Sequence, residues 1–341
     1  MTASSLKIRI IGAGVAGLTA AYEFARAAQT VEIVERQAGP GLGCSYFAGG
    51  MLAPWCENES APPLVVEWGL EGLAFWAGTL GFATVNGSLL VAPARDRADL
   101  IRFSRRTSGF EWLEADEIAQ REPALAGRFD RALFFPGEAH LDPREAMTGL
   151  AARLRDFPNV QFRFNTSADG VTGDADWIVD CRGFAARDTL ADLRGVKGEM
   201  LVIKTDEISF QRPVQLLHPR HPVYIVPRSD GRFMVGATAI ENEDRARVTA
   251  RSMLELLSAA YALHPAFGEA EIVETGADLR PAFPDHLPRL RVVGRTIYLN
   301  GLYRHGYLLA PALARRAVAV VLKNEFFSEV MDANPRQRQS A

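Results

Sequence analysis

A chain of 341 residues, 48% of them hydrophobic, can bury a sizeable core as one large domain or two closely packed ones. A formal net charge of −3 with no long charge run argues against a nucleic-acid surface as the main partner, because phosphate binding needs clustered Lys and Arg. The three cysteines, Cys44, Cys56 and Cys181, are widely spaced and odd in number, so they suggest neither a metal site nor a disulfide framework but reduced thiols in a cytoplasmic protein.

The N-terminus, MTASSLKIRIIGAG, has no secretory pattern and runs straight into a strand. No apolar stretch is long enough to span a bilayer, so no membrane association is expected. KIRIIG reads as a buried strand, 15–28 as a helix and VEIVE (31–35) as a second strand, a strand–helix–strand unit that implies a parallel sheet. Residues 62–80 have the pattern of an amphipathic helix. TVNGSLLVA (84–92) carries an Asn-Gly turn signal and reads as a hairpin. Helices are expected at 95–107 and 142–155, and strands at 160–164, 176–181, 199–204, 223–227 and 232–238. A helix at 248–263, two strands within 289–301 and a final helix at about 306–322 follow.

This order predicts an α/β protein in which a Rossmann-like, nucleotide-binding domain is interleaved with an antiparallel-sheet α+β domain. The chain is expected to cross between them more than once. Residues 1–80, 140–195 and 285–330 are assigned to the first domain, 81–139 and 196–284 to the second, and 331–341 to a flexible tail.

IIGAGVAG places Gly12, Gly14 and Gly17 in G-x-G-x-x-G spacing between a strand and a helix, with Glu35 at the end of the next strand. Gly12 permits the tight turn, Gly14 lets the backbone approach a pyrophosphate, and Gly17 lets the helix pack on the strand. The amides around Val15 and Ala16 then face phosphate at the positive end of the helix, and Glu35 reaches a ribose hydroxyl. The motif alone leaves NAD and FAD open; a single N-terminal fingerprint points toward FAD with a small substrate. GLGCSYFAGGMLAPW (41–55) has neither helix nor strand period and reads as a small-residue loop that can run along a flat ligand.

Taken in order, IIGAGVAG, VEIVE, SYFAGGMLAP, VKGEM (196–200), VYIVPRSDGRFMVGAT (223–238), LRP (279–281) and GLYRHGYLLAP (301–311) resemble the glycine oxidases of thiamine biosynthesis, in the D-amino-acid oxidase and sarcosine oxidase superfamily. The resemblance covers about 7–325. It implies an FAD-dependent oxidase that converts glycine, with sarcosine and small D-amino acids as further candidates, to an imine and then glyoxylate, with O2 reduced to hydrogen peroxide. A D-amino-acid dehydrogenase passing electrons to a carrier, and a non-catalytic flavin-binding protein, stand as alternatives. A homo-oligomer is implied by analogy alone.

Residue by residue, the resemblance puts Gly12, Gly14, Val15, Ala16 and Gly17 at the pyrophosphate, and Glu35 and Arg36 at the adenosine end. Cys44 and Ser45 fall on the phosphate side, and Gly49, Gly50 and Met51 against the flavin. Val171 matches a backbone contact to adenine. Leu302, Tyr303, Arg304, His305, Gly306, Tyr307 and Leu308 wrap the pyrimidine edge of the flavin.

For the substrate, Arg280 in ADLRPAF matches the carboxylate-binding arginine, Tyr224 in PVYIVPR its tyrosine partner, and Arg304 a second substrate-contacting arginine. By residue type alone, Arg280 reads as a surface ion-pair arginine and Tyr224 as a core tyrosine. Fixing a carboxylate orients the amino acid's Cα–H toward the flavin, and the planar guanidinium fork suits that task. No His/Asp or paired-carboxylate constellation demands a general base, and His218, His221 and His264 read as surface or loop residues. Related sarcosine oxidases attach FAD through a cysteine near the C-terminal arginine region. All three cysteines here lie at or before 181, so non-covalent FAD is expected. Two departures from the family are His305, often Asn there, and RPAFPDHLPRL, which has fewer glycines than usual.

Overall fold

The computed structural model describes residues 5–332 apart from 171–172 and 219–221. Val171, His221 and residues 333–341 of the expected tail lie outside the described residues. The chain forms two compact units. One runs through Tyr46, resumes over Arg144–Val196 and again from Leu279; the other comprises Phe47–Pro143 and Lys197–Asp278.

The first unit is built on a six-stranded sheet, in the order Arg289–Val293, Thr296–Asn300, Trp177–Asp180, Lys7–Ile11, Thr30–Val34, Val160–Arg163. All its neighbours are parallel except the first pair, a hairpin turning at Gly294. Parallel strands need a crossover, and the helix Val15–Arg26 supplies the one between Lys7–Ile11 and Thr30–Val34. Ile8 and Ile10 are fully buried, as are Leu18, Ala21 and Phe24 of that helix. Arg9 lies among them because Glu32 on the next strand takes its Nε at 2.6 Å, and Arg163 one strand further adds a contact at 3.1 Å. Burial opposes the charge of Glu32, but these two guanidinium groups hold its carboxyl below the usual range.

The second unit carries an eight-stranded sheet, in the order Glu271–Ala282, Arg194–Lys204, Arg232–Gly236, Val223–Pro227, Val214–Leu216, Ser88–Val91, Arg131–Phe135, Glu111–Glu114. Side chains alternate between its faces. Leu201, Ile203, Ile225, Phe233 and Val235 pack with Leu256, Ala260 and Leu263 of the helix Ala250–Leu263. Met200, Val202, Tyr224, Val226 and Met234 share the other face with Phe47 and Met51. Thr249 caps that helix by accepting from the Ser252 amide.

Several expectations are corrected. Asn86-Gly87 does not close a hairpin: Ser88–Val91 pairs antiparallel with Arg131–Phe135 and parallel with Val214–Leu216. The glycine turns the chain, with φ of +82°, but the strand's partners lie far along the sequence. Residues 41–55 are not all irregular, since Cys44–Phe47 is a 3-10 turn, Met51–Leu52 pairs with Ala139–His140, and Pro54 opens a short helix. Residues 47–80, assigned above to the first domain, fall in the second unit. There Ala53 and Cys56 pack with Leu90, Leu133 and Phe135. The expected helix 62–80 is α-helical over Pro63–Leu73 and widens to a π-helical turn over Ala74–Thr79, with Trp68, Phe75 and Trp76 buried.

Glu138 ties the second unit together. Fully buried, it accepts from the Cys56 amide at 2.8 Å and from the Ser88 hydroxyl at 2.5 Å, joining the helix Pro54–Glu57 to the strand Ser88–Val91. Burial pushes its carboxyl up to about 7. The protonated form is therefore favoured by folding. Its stabilisation is complete below the unfolded value of 4.5 and is lost as pH rises toward about 7. Glu138→Gln should remove that dependence. In urea unfolding the variant should gain roughly 3 kcal/mol on wild type between pH 4.5 and pH 8; a constant difference across that range would show that Glu138 is charged in the folded state.

Candidate functional site

The fingerprint turn lies at the carboxyl ends of Lys7–Ile11 and Trp177–Asp180, where open α/β sheets hold ligands. Gly12 has φ of +99°, and its amide donates to Val34 across the sheet. A Cβ on Gly17 would stand 1.8 Å from the Gly12 carbonyl oxygen, so the helix can approach the turn only without one. At Gly14 a Cβ would meet nothing nearer than Ser45 Oγ, at 3.2 Å. The first amides of the helix Val15–Arg26 have no intrahelical acceptor. Ser45 Oγ takes the one from Val15 at 3.0 Å, which places Ser45, with Cys44 beside it in the chain, at the fingerprint turn.

Glu35 does more than the sequence suggested. One carboxylate oxygen accepts from Ala13 N at 2.7 Å and the other from Gln37 N at 2.8 Å, so it braces the turn from the end of the second strand. Each oxygen keeps a second lone pair for a ribose hydroxyl. Arg36 follows on the exposed side. The helix N-terminus beside the bare backbone of Gly14 and the acidic residue beyond the second strand fit the pyrophosphate and adenosine of a dinucleotide.

The C-terminal segment returns to the same place. Gly306 opens the helix Gly306–Lys323, and a Cβ on it would lie 3.3 Å from Val15 Cγ1, so the N-termini of the first and last helices adjoin. Tyr307 donates its hydroxyl to the Ser45 carbonyl at 3.0 Å. Leu302, His305, Tyr307 and Leu308 are buried, whereas Arg304 is exposed. No local sequence signal could have found the Tyr307–Ser45 contact, which spans 262 positions.

Arg280 sits half-buried near the end of Glu271–Ala282, a strand the sequence did not reveal because its exposed half lacks alternation and Pro281 interrupts it. The next residue's carbonyl, that of Pro281, accepts from Tyr303 N at 2.9 Å, so Arg280 and Arg304 each adjoin one bridged residue. Tyr303 has φ of +48° and stacks at 4.3 Å on His286, which itself has φ of +60°. This crowded arrangement occupies the glycine-poor segment noted above.

Gly49, Gly50, Met51 and Tyr224 belong to the second unit. The Tyr224 ring fills the space a side chain at 49 would need, with Cε2 2.5 Å from that Cβ position. Arg228, unremarked in the sequence, donates to the Gly49 carbonyl at 2.7 Å and pairs with Asp142 at 3.2 Å. Among the remaining histidines, His218 is half-buried in a loop, and His264 accepts from Ala266 N at 3.2 Å, with burial lowering its pKa. Among the described residues no group of His, Cys, Asp or Glu is arranged to hold a metal, and no helix is long and apolar enough to cross a membrane.

Residues 7–320 match the family model described as DAO, FAD dependent oxidoreductase. The chain belongs to this family. It is 56% identical over 311 residues, 91% of this chain and 94% of its counterpart, to a Rhizobium etli protein assigned as a thiamine biosynthesis oxidoreductase, ThiO. A glycine oxidase from Bacillus licheniformis is 27% identical over 366 residues, covering 97% of each chain. The crystal structure of glycine oxidase from Geobacillus kaustophilus superposes with a TM-score of 0.80 at 24% identity, over 95% of this chain and 97% of that one, which establishes the shared fold. The cofactor of this FAD-dependent oxidoreductase is FAD.

Two glycines separate binding from folding. Gly14→Ala should fold with an unchanged melting curve, since Ser45 Oγ can give way, but should lose the yellow colour that bound FAD confers. Gly17→Ala should lower the melting temperature as well, because its Cβ meets backbone. Equal FAD content in Gly14→Ala and wild type, read from the 450 nm to 280 nm absorbance ratio, would remove Gly14 from the cofactor site.

Proposed function

We propose that this FAD-dependent oxidoreductase is an amine oxidase acting on glycine, with sarcosine and small D-amino acids as secondary substrates, and that it serves thiamine synthesis. The carrying observation is the Pro281–Tyr303 backbone hydrogen bond, which links the segments bearing Arg280 and Arg304. The relatives named ThiO and glycine oxidase support the choice of substrate and pathway.

In this reading Arg280 takes the substrate carboxylate and Arg304 assists, while Tyr224 enters through its motif, PVYIVPR. A planar fork binds a carboxylate in one orientation, and that fixes the direction of the Cα–H bond. In this proposal FAD would be held by the fingerprint amides, Ser45 and Glu35, by Gly49, Gly50 and Met51, and by residues 302–308; it would supply the two-electron acceptor, with O2 as the final oxidant and hydrogen peroxide as its product. The substrate amine must be neutral for its Cα to release a hydride, and no side chain is assigned as the base that takes the ammonium proton. The imine is hydrolysed by water, giving overall glycine, O2 and water to glyoxylate, ammonia and hydrogen peroxide.

The cofactor is held without a covalent bond in this proposal. Cys56 and Cys181 are buried, with their thiols pushed well above the usual range by desolvation, and Cys44 lies on the phosphate side. Acid precipitation should leave a yellow supernatant and a white pellet; a yellow pellet would overturn this part.

A panel of glycine, sarcosine, D-alanine and D-proline, with peroxide detection, tests the activity. Peroxide from glycine is expected. Bleaching under nitrogen without reoxidation by air would point to a dehydrogenase, and a flavin that no amine bleaches would point to a binding protein. Arg280→Ala should retain FAD but lose about 3 kcal/mol of substrate binding, a KM raised more than a hundredfold; a wild-type KM would remove Arg280 from the carboxylate site.

A further inference from the structure

We propose that Gly236 is a positioning residue, kept without a side chain so that the Tyr224 hydroxyl lies where the substrate carboxylate meets it. The inference rests on the reading above that Tyr224 contacts that carboxylate. Glycine is an unfavourable choice at this place. Arg232–Gly236 is an interior strand of the eight-stranded sheet, between Arg194–Lys204 and Val223–Pro227. There a glycine costs backbone entropy and leaves no side chain to pack, and it often marks a close approach. The backbone does not ask for it either, since φ at Gly236 lies outside the left-handed region.

What forbids a side chain is the tyrosine opposite. Tyr224 and Gly236 are direct cross-strand partners, and such partners project to the same face. A Cβ on Gly236 would lie 2.8 Å from both Cζ and the hydroxyl oxygen of Tyr224, and 2.8 Å from Cε of Met234. The end of a methionine can turn aside, but the ring cannot yield without carrying its hydroxyl along. On the loop side, a Cβ on Gly49 would lie 2.5 Å from Cε2 of the same ring and 3.1 Å from its Cζ and hydroxyl oxygen. The phenol end therefore lies between two bare α-carbons, one from the strand and one from the loop. The ring leans over its partner strand, on the face shared by Met200, Val202, Val226 and Met234. A methyl group at 236 would displace its hydroxyl by roughly 1 Å to restore ordinary contact distances. A hydrogen bond to a carboxylate tolerates little of that displacement.

The test compares Gly236→Ala, Tyr224→Phe and the double variant, with FAD content and melting temperature as controls. Acetate, a carboxylate without an amine, reports carboxylate binding through the perturbed absorption of bound FAD. Each single variant should weaken acetate binding and raise the KM for glycine by roughly tenfold, with kcat within about threefold. The double variant should be no worse than either single one, because both lose the same hydrogen bond.

Wild-type acetate affinity in Gly236→Ala, where Tyr224→Phe loses it, would overturn the inference, as would losses that add in the double variant. Should Gly236→Ala not fold, adding Tyr224→Leu, whose side chain stops short of the phenol, should restore folding and FAD content; a combined variant that still fails to fold would count equally against it. Unchanged acetate affinity in Tyr224→Phe would instead remove Tyr224 from the carboxylate site and take the inference with it. Failure of the wild-type protein to oxidise glycine would count against the proposed function, and is seen before any variant is made.

Discussion

The Gly12 carbonyl oxygen stands where a Cβ of residue 17 would have to be, and this contact governs much of the first unit. It brings the helix Val15–Arg26 down onto the end of the first strand, so that its positive end opens at the carboxyl end of the parallel sheet. The surroundings of the first helix amides follow from that placement. Ser45 takes the Val15 amide, Glu35 takes the Ala13 amide, and the Gly14 position is left as bare backbone. A methyl group at 17 would separate helix and strand and remove the frame on which Ser45 and Glu35 act.

The last helix is fitted to the first. Gly306 abuts Val15, the Tyr307 hydroxyl reaches the Ser45 carbonyl, and Arg315 lies 3.6 Å from Glu23 on the first helix. Two helix N-termini thus adjoin, both offering partial positive charge, within a family whose cofactor is FAD. The turn before the last helix cannot be a flexible linker, since Tyr303 is held in the left-handed region by its hydrogen bond to Pro281 and its stack on His286. Such outliers persist only where the surroundings over-determine them.

In the second unit the organising feature is a sheet with two different faces. One is closed by the helix Ala250–Leu263; the other carries Tyr224 with methionines at 51, 200 and 234. Thioether side chains adapt their shape, which suits the surroundings of a tyrosine whose ring must fit beside Gly49. Arg228 and Asp142 fix the Gly49 carbonyl, so the small-residue segment is anchored through backbone atoms rather than by its own side chains.

The sequence by itself determined the strand–helix–strand unit and the fingerprint with its acidic partner. Those features rest on local periodicity and on residue types whose chemistry is local. It also carried the resemblance that pointed to FAD. It misread Asn86-Gly87 as a hairpin because turn chemistry fixes the bend but not the partner, and the partners lie at 131–135 and 214–216. It missed Glu271–Ala282 because an edge strand exposed at four of its first five positions has no alternation to read there. Only the tertiary structure decided that Glu35 braces the turn, that Arg228 anchors Gly49, and that the imidazole of His305 faces Arg304. These are contacts between particular atoms, set by how the backbone is held from distant parts of the chain.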